Sequence, residues 1–395
     1  MSQANDPIVI VSAARTPMGG MMGSLSAVPS PKLGAVAIKA AVERAGLSGT
    51  DIDQVIMGCV LPAGLGQAPA RQAALGAELP LSAGCNTINK MCGSGMKAVM
   101  DAHDQIKAGT SDVMVAGGME SMSQAPYLLP KARAGFRMGH GEVIDSMFFD
   151  GLQDAYEGGL MGSFAQSCAD EYSLTREAMD QFAINSLNKA NKAINEGWFE
   201  GEIAPVTIRS RKGEQQVTFD EQPGNANIDK IPQLRPAFKK DGTVTAANSS
   251  SISDGAAALV LMRESDAKAR GLNPLARIVG HSTHAQKPSE FTIAPIGSVQ
   301  KLLEKINWST DDVDLFEINE AFAMVTMLAI QELGLDADKV NVNGGACALG
   351  HPIGCSGARI LVTLIYALQR LGKKRGLASL CIGGGEATAV AIELI

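Results

Sequence analysis

The feature that most constrains the fold is an internal repeat. Three stretches near the start of the chain reappear near its end in the same order: AGLSGTDIDQVIMG (45–58) resembles INWSTDDVDLFEIN (306–319), CGSGMKAVM (92–100) resembles GCSGARILV (354–362), and VMVAGGMES (113–121) resembles SLCIGGGEA (379–387). The offsets are 261, 262 and 266 residues. Three ordered matches at nearly one offset indicate two duplicated halves. Each half alternates apolar helices with strands, which is typical of an α/β layer structure.

The sequence between the two halves differs from both in character. It contains many glycines and prolines, and a hairpin is predicted in APVTIRSRKGEQQVTFDEQ, with its turn at Lys212 and Gly213. We predict an N-terminal α/β half formed by residues 1–120 and 249–271, an inserted loop domain for substrate binding at 121–248, and a C-terminal α/β half at 272–395.

Charge and composition exclude several classes of protein. The net charge is -7 and the pI is about 5.4, which argues against a nucleic-acid-binding protein. No apolar run reaches the length of a membrane span, and the first residues lack a secretory or transit pattern, so a cytoplasmic location is expected. The seven cysteines show no CxxC spacing, which argues against a disulfide framework or a structural zinc site.

The most suggestive cysteine lies in NKMCGSGMKAVMDAHDQIKAG (89–109). Apolar residues recur at helical spacing after Cys92, and Gly109 is a natural end for that helix. A thiol at a helix N-terminus experiences the positive end of the helix dipole, which lowers its pKa and favours a nucleophile. A small, inert, buried cysteine would fit the same place, and this stretch alone leaves both interpretations open.

Three residues of the second half complete a candidate site. His351 lies in a Gly-His-Pro-x-Gly turn that corresponds to the Cys92 turn in the repeat, so the two turns are expected to meet and His351 to activate Cys92; a capping or core histidine is the alternative. Cys381 ends a strand beside three glycines, whose N–H groups suit an oxyanion hole, unless it is an ordinary strand cysteine. Asn319, in NEAFA, is either a neutral donor or a helix cap.

At these residues the sequence resembles the thiolase family over essentially the whole chain. The similar motifs, in the order of the family, are NKMCGSGMKA, GGMESMS, NEAFA, NGGACALGHPIGCSGAR and CIGGGEA. Within the family they are most similar to the acetyl-CoA acetyltransferase branch. The resemblance implies two α/β halves with an inserted loop domain, assembled as a homotetramer or homodimer. It also implies a reversible Claisen condensation of two acetyl-CoA molecules to acetoacetyl-CoA and CoA, with no metal or redox cofactor.

The resemblance also implies a role for each site residue. Cys92 would carry the acetyl group, His351 would accept its proton, and Cys381 would act as the acid/base on the second substrate. One oxyanion would face the N–H groups of Cys92 and Gly383, and the enolate oxygen would face His351 and a water held by Asn319. The substrate tunnel would be lined by Leu152, Met161, Phe238, Ala246, Ser250, Phe291 and Phe322. Five basic residues are candidates for the CoA phosphates, or else form a solvated surface: Arg209, Arg211, Lys212, Lys239 and Lys240.

Three positions depart from the family pattern. Leu160 replaces a common histidine and Phe291 a common methionine, so the acyl-chain preference is open, and a 3-ketoacyl-CoA thiolase for longer chains is the alternative function. A non-catalytic acyl-CoA-binding protein is a more remote alternative. Ala387 replaces a glycine, and none of the three departures is expected to touch the reacting residues. His281 and His284 have a metal-like spacing, but no third ligand is evident, so no metal site is predicted.

Overall fold

The computed structural model describes residues 6–210 and 213–395. Its strands are β1 Ile8–Arg15, β2 Gly19–Gly20, β3 Gln54–Gly58, β4 Gly84–Ile88, β5 Val113–Ser121, β6 Tyr127–Leu128, β7 Ile144–Asp145, β8 Val206–Ser210, β9 Gly213–Val217, β10 Ser253–Arg263, β11 Ala276–Ala285, β12 Leu315–Ile318, β13 Arg375–Ile382 and β14 Glu386–Leu394. Its α-helices are α1 Ser30–Arg44, α2 Pro69–Gly76, α3 Ser94–Ala108, α4 Met161–Glu171, α5 Arg176–Asn195, α6 Glu221–Asn225, α7 Glu264–Ala269, α8 Ala294–Ile306, α9 Ala323–Leu333, α10 Ala346–Leu349 and α11 Ser356–Leu371. Single 3-10 turns occur at Gly49–Asp51, Met122–Gln124, Ile228–Gln233, Pro288–Ile293, Thr310–Asp312 and Ala337–Lys339, and a π-helical turn at Met147–Leu152.

The strand order confirms the duplication. The large sheet runs β12-β13-β14-β11-β1-β10-β5-β3-β4, so β11-β14-β13-β12 on one side repeats β1-β10-β5-β3 on the other. In both halves the strand within the first repeated stretch, β3 or β12, pairs in parallel with the strand that follows the long helix, β5 or β13. Within the large sheet, the two halves join through a short antiparallel contact of β1 with β11 at two residue pairs. The fold is therefore two similar α/β units related by an approximate twofold arrangement.

The repeated aspartates explain why the two halves share a sequence pattern. Ser48 and Asp51 form a capping box around a 3-10 turn, and Ser309 and Asp312 form the same box in the second half. The next aspartate accepts two backbone N–H groups at the start of a strand: Asp53 binds those of residues 112 and 113, at 2.8 and 2.9 Å. In the second half Asp314 binds those of residues 374 and 375, at 2.9 and 2.8 Å. These carboxylates fix the start of the strand that follows the long helix of each half, β5 or β13.

Helices cover the sheets in layers. Strands β1, β5 and β10 are buried at every residue, which requires apolar cover on both faces. Helices α1 and α2 pack on one face of the first half, and α8 and α9 pack on the outer face of the second. Helices α3 and α11 lie between the halves in the largest core cluster. The two helices that follow the glycine-rich turns therefore meet at the centre of the molecule.

Gly95 permits this central contact. A Cβ atom at Gly95 would lie 2.8 Å from the backbone nitrogen of Ala358 and 3.0 Å from the carbonyl oxygen of Cys355, distances that real Cβ atoms do not reach without movement of the backbone. The glycine therefore lets α3 approach α11 at the point where both helices begin. This approach brings the turn before α3 close to the turn before α11.

The inserted segment is more regular than a loop domain. The predicted hairpin is confirmed by the antiparallel pairing of β8 with β9; of its predicted turn residues, Lys212 lies outside the described residues and Gly213 begins β9. The segment also contains α4 and α5, and α5 is 20 residues long because Thr175 caps its N-terminus and its alanines pack against the body. No helix in the described ranges is long and apolar enough to cross a membrane.

A buried ionic cluster attaches the insertion to β1. The Arg15 guanidinium donates to Glu202 at 2.5 Å and to both oxygens of Asp220, at 2.7 and 2.9 Å, and its side chain is fully buried. Because a lone buried charge is very costly, each of these three residues depends on the others. The cluster fixes the insertion relative to the sheet, next to the glycine-rich turns.

Candidate active site

Cys92 lies in a tight turn immediately before α3. Met91 adopts a left-handed conformation with φ of 47°, which is unusual for a residue other than glycine. Ser94 holds the turn, because its hydroxyl accepts from the Lys90 N–H at 2.8 Å and donates to the Met91 carbonyl at 2.7 Å. A Cβ atom at Gly93 would come within 2.3 Å of Ile382, so the glycine allows the end of β13 to approach the cysteine. The helix ends at a left-handed Gly109, as predicted.

The electrostatics of Cys92 differ from the expectation for a helix N-terminus. Burial raises the pKa of the thiol to about 11, although the backbone N–H groups of Gly383 and of Cys92 itself favour the thiolate. The prediction of a lowered pKa is therefore wrong for the protein without substrate, because desolvation of the charged sulfur outweighs the favourable dipoles. The same two N–H groups form the pair that was expected to face the acylation oxyanion.

His351 is buried and holds one ring nitrogen free of protein partners. Its Nδ1 lies 2.5 Å from the hydroxyl of Ser356, which in turn donates to the Pro352 carbonyl at 3.0 Å. Because that hydroxyl hydrogen is already used, Nδ1 carries the ring proton and donates to Ser356, so Nε2 keeps its lone pair. Nε2 has no hydrogen-bond partner among the described residues. Burial lowers the pKa of His351 to about 3, with the charge of Arg359 as a lesser cause, so the ring is neutral. A core histidine satisfied on both nitrogens is thereby excluded.

Cys381 lies behind the site. It is fully buried in an apolar cluster with Phe291 and Phe322. Its pKa is raised well above the ordinary value, first by burial and then by the charge of a Cys92 thiolate, so the two sulfurs are electrostatically coupled. Two thiolates together are therefore disfavoured, and Cys381 ionises more readily once Cys92 is neutral.

Asn319 lies beside His351 and caps no helix. Its Nδ2 is 3.5 Å from Nδ1 of His351, and its Oδ1 has no partner among the described residues. The next helix, α9, begins at Ala323 with Phe322 at its N-cap, so the cap interpretation is wrong. The side chain is 1% exposed and keeps unused hydrogen-bonding capacity within the site.

One cavity of about 280 Å³ joins Cys92 and His351 to the predicted substrate tunnel, whereas Cys381 and Asn319 are not among the residues that line it. Cys92, His351 and Gly383 line it. Six of the seven residues assigned to the tunnel also line it: Leu152, Met161, Phe238, Ser250, Phe291 and Phe322. Its wall is predominantly apolar, as in most small-molecule sites.

Ala246 is the exception among the predicted tunnel residues. It is exposed and lines a neighbouring cavity with Ser251 and Cys347 instead of the cavity that contains Cys92. The physical reason is its place in the chain after Thr245, whose backbone N–H is held by Asn248 at 2.8 Å. That local turn directs the segment across the outer surface before Ser250 re-enters the cavity wall.

The candidate phosphate-binding residues are not gathered into a pocket. Arg209 pairs with Glu214 at 2.7 Å and Lys239 with Asp170 at 2.6 Å, and all four side chains are exposed. Such surface pairs exchange easily with solvent or an anionic ligand. Arg211 and Lys212 lie outside the described residues, so their predicted role stays a prediction, as does that of Lys240.

Two supporting residues and one departure were missed by sequence reasoning. Ser356 orients His351. It lies five residues after His351 in the same motif, and this short spacing could have identified it from the sequence. Glu120, fully buried, accepts the N–H groups of Val60 and Gly354 at 2.9 Å each, which fixes the turn after His351. Ala387 was expected not to touch a reacting residue, and this is wrong, because it is the cross-strand neighbour of Cys381 in the β13–β14 ladder.

Comparison with known proteins agrees with this geometry. The family model described as "Thiolase, N-terminal domain" matches residues 8–265 and "Thiolase, C-terminal domain" matches residues 272–394. The chain is 51% identical to an acetyl-CoA acetyltransferase of Cupriavidus necator, over 98% of this chain and 99% of that protein. It is 48% identical to an acetyl-CoA acetyltransferase of Schizosaccharomyces pombe, over 99% and 100% of the two chains. The crystal structure of the Bacillus anthracis acetyl-CoA acetyltransferase superposes with a TM-score of 0.97 at 44% identity, with full coverage of both chains. The chain belongs to the thiolase family.

Proposed function

We propose that this protein is an acetyl-CoA C-acetyltransferase, which condenses two acetyl-CoA molecules to acetoacetyl-CoA and CoA and also catalyses the reverse thiolysis. The observation that carries the proposal is one cavity lined by a cysteine, by a histidine whose Nε2 has no protein partner, and by the backbone of Gly383. The curated relatives named above, similar over nearly their full length, support the same reaction.

In the first half-reaction Cys92 becomes acetylated. Its sulfur attacks the thioester carbon, and its proton passes to Nε2 of His351. Burial disfavours a thiolate or an imidazolium alone, so transfer within the pair, which creates no net charge, is the accessible route. The oxyanion then faces the N–H groups of Cys92 and Gly383, each worth about 3 kcal/mol of transition-state stabilisation. Collapse breaks the carbon–sulfur bond to CoA, and the CoA thiolate takes the proton back from His351.

In the second half-reaction a carbon–carbon bond forms. Cys381 first passes its thiol proton to the neutral His351, and the resulting thiolate removes an α-proton from the second acetyl-CoA. The carbanion attacks the acetyl carbon on Cys92 and the bond from that carbon to the Cys92 sulfur breaks. The proton held by His351 returns the Cys92 sulfur to the thiol, and Cys381 keeps the α-proton as its own thiol proton. Burial is the main cause of the raised pKa of Cys381, and a neutral acetylated Cys92 spares it the further rise that a Cys92 thiolate would cause. His351 and a water on Asn319 would hold the enolate oxygen.

The test is covalent labelling followed by turnover on a series of chain lengths. Incubation with acetyl-CoA should add one acetyl group to the Cys92 peptide, detected by mass spectrometry, and a Cys85→Ala control should behave in the same way. Acetylation at full level in Cys92→Ala would refute the proposal. Thiolysis of acetoacetyl-CoA should exceed that of longer 3-ketoacyl-CoA substrates. Faster thiolysis of the longer substrates would favour the broader-chain 3-ketoacyl-CoA thiolase. Acetyl labelling without turnover would favour an acyl-CoA-binding protein.

The assembly, location and cofactor requirement remain predictions. A homotetramer or homodimer is supported by a cluster of exposed apolar side chains in the insertion, namely Tyr127, Leu129, Phe136, Met138 and Val143. Size-exclusion chromatography with light scattering would measure it. The cytoplasmic location and the absence of a metal or redox cofactor from the reaction are expectations from the sequence.

A further inference from the structure

Two histidines and an aspartate converge at a place that the proposed reaction does not use. His281 and His284 are three residues apart on β11, so they lie on opposite faces of the strand. His284 Nε2 is 2.9 Å from the side-chain oxygen of Gln286. His281 Nε2 instead lies 2.9 Å from Oδ1 of Asp104 and 3.3 Å from Nδ1 of His103. His103 Nδ1 is also 2.9 Å from the same Asp104 oxygen.

We propose that His103, Asp104 and His281 form a binding site for a divalent first-row transition-metal ion, with Zn²⁺ as the best match. Two imidazole nitrogens and one carboxylate oxygen are a donor set that zinc prefers. An ion bonded to all three at about 2.1 Å, in tetrahedral geometry, sets the donor atoms roughly 3.4 Å apart. The three atoms are 2.9 to 3.3 Å apart, so a small outward rotation of the side chains suffices.

The solvent exposure of the three side chains allows an ion to reach the site. The two histidine side chains are each 13% exposed, whereas that of Asp104 is 57% exposed, which leaves a path from solvent and an open coordination position.

Nearby positive charges oppose the ion but do not occupy the site. Lys107, on the same helix, is close enough to act on His103 electrostatically. Lys305, on α8, donates to the backbone carbonyl of His281 at 3.1 Å. The rings of His103 and His281 meet edge to face, with centroids 5.0 Å apart and an angle of 85° between their planes. The site therefore offers an ion one carboxylate and two imidazole ligands, which suits moderate affinity.

The position of the site indicates what an ion would do. His103 and Asp104 are on α3, the helix that begins two residues after Cys92, whereas His281 is on β11 of the other half. An ion would therefore join the two halves of the molecule, which otherwise meet through the short β1–β11 contact and the packing of α3 against α11. Its expected effect is on stability, since a ligand that binds only the folded state stabilises it by mass action.

Metal binding to the intact protein tests the proposal independently of catalysis. Purified chain, stripped with a chelator, would be titrated with Zn²⁺ and with Co²⁺ as an optical probe. We expect one ion per chain and a rise in the thermal unfolding midpoint with Zn²⁺. In His281→Gln and His103→Gln the affinity for Zn²⁺ should fall at least about tenfold, and Zn²⁺ should no longer raise the thermal unfolding midpoint. The control His284→Gln should match the wild type in both measurements.

Three results would overturn the proposal: no binding at one ion per chain, equal affinity in His281→Gln and the wild type, or a Co²⁺ spectrum with a thiolate charge-transfer band. The last result would place the metal on the cysteines, all seven of which are free.

Discussion

Phe291 provides the sharpest test of substrate specificity. Its side chain is 3% exposed and lines the cavity that contains Cys92. It packs edge to face on Phe322, with ring centroids 6.4 Å apart and a plane angle of 68°. If Phe291 limits the acyl end of the cavity, Phe291→Ala should open space for the two extra methylenes of a six-carbon 3-ketoacyl-CoA.

The expected size of the effect follows from burial of those methylenes. Each buried methylene is worth about 0.8 kcal/mol, so two contribute ~1.6 kcal/mol to the longer substrate. At roughly 1.4 kcal/mol per factor of ten, the ratio of kcat/KM for the six-carbon substrate to that for acetoacetyl-CoA should rise about fifteenfold. Steady-state thiolysis with both substrates, monitored as loss of the 3-ketoacyl-CoA, measures the ratio directly.

A matched variant separates specificity from general loosening of the core. Truncation of a buried phenylalanine costs about 3–5 kcal/mol of stability wherever it lies. Phe164 belongs to the same apolar cluster as Phe291 but is not among the residues that line the cavity. Phe164→Ala should therefore lower the unfolding midpoint by a similar amount and leave the specificity ratio unchanged. If the ratio fails to rise in Phe291→Ala, or rises equally in both variants, Phe291 is not the limiting wall of the cavity.

Three further predictions concern the reacting residues and the central helix contact. Cys381→Ala should still be acetylated at Cys92 but should not exchange the α-protons of acetyl-CoA, as measured by deuterium uptake; exchange at the wild-type rate would remove Cys381 from its role. Alkylation of Cys92 by iodoacetamide without substrate should accelerate about tenfold per pH unit between about pH 7 and pH 10, because the thiolate is the form that reacts. Burial raises the pKa of Cys92 to about 11, so its thiolate fraction grows over this whole range. A rate that reaches a plateau below about pH 8 would contradict this. Gly95→Ala should lower the free energy of unfolding by at least ~2 kcal/mol, because its new methyl group would meet the backbone of α11. Gly224→Ala should cost far less, because a Cβ atom there has nothing within 4 Å. Equal thermal midpoints for the two variants would disprove the close contact.

The fold could be predicted from the sequence because the repeat is carried by residues with a structural task. Asp53 and Asp314 each hold the start of a strand, and Gly95 is required where the two helices meet. Such residues are constrained in both halves, so their spacing survives and reveals the duplication. Helices α4 and α5 of the insertion have no counterpart in the repeat, and their glycine- and proline-rich flanks concealed them.

The site was predictable in its members but not in its electrostatics. Cys92, His351 and Gly383 were identified by motif, and the structure places all three at one cavity. The pKa of Cys92 was predicted in the wrong direction because a sequence shows the helix that follows but not the apolar cover that desolvates the sulfur. Ala387 was misjudged for a similar reason, since the pairing of β13 with β14 across a turn sets its distance from Cys381.

In the proposed reaction, neither half of the chain alone could perform the chemistry. The first half contributes Cys92, the proposed nucleophile, and the second half contributes His351, Cys381 and the N–H group of Gly383. In the folded chain, burial shifts both pKa values away from reactivity, that of Cys92 to about 11 and that of His351 to about 3. Only when the two glycine-rich turns meet can a proton pass between them without creating net charge. The duplication therefore matters for function because it brings together two complementary turns, and residues that hold α3 against the second half, such as Gly95, belong to the conditions for catalysis as well as for folding.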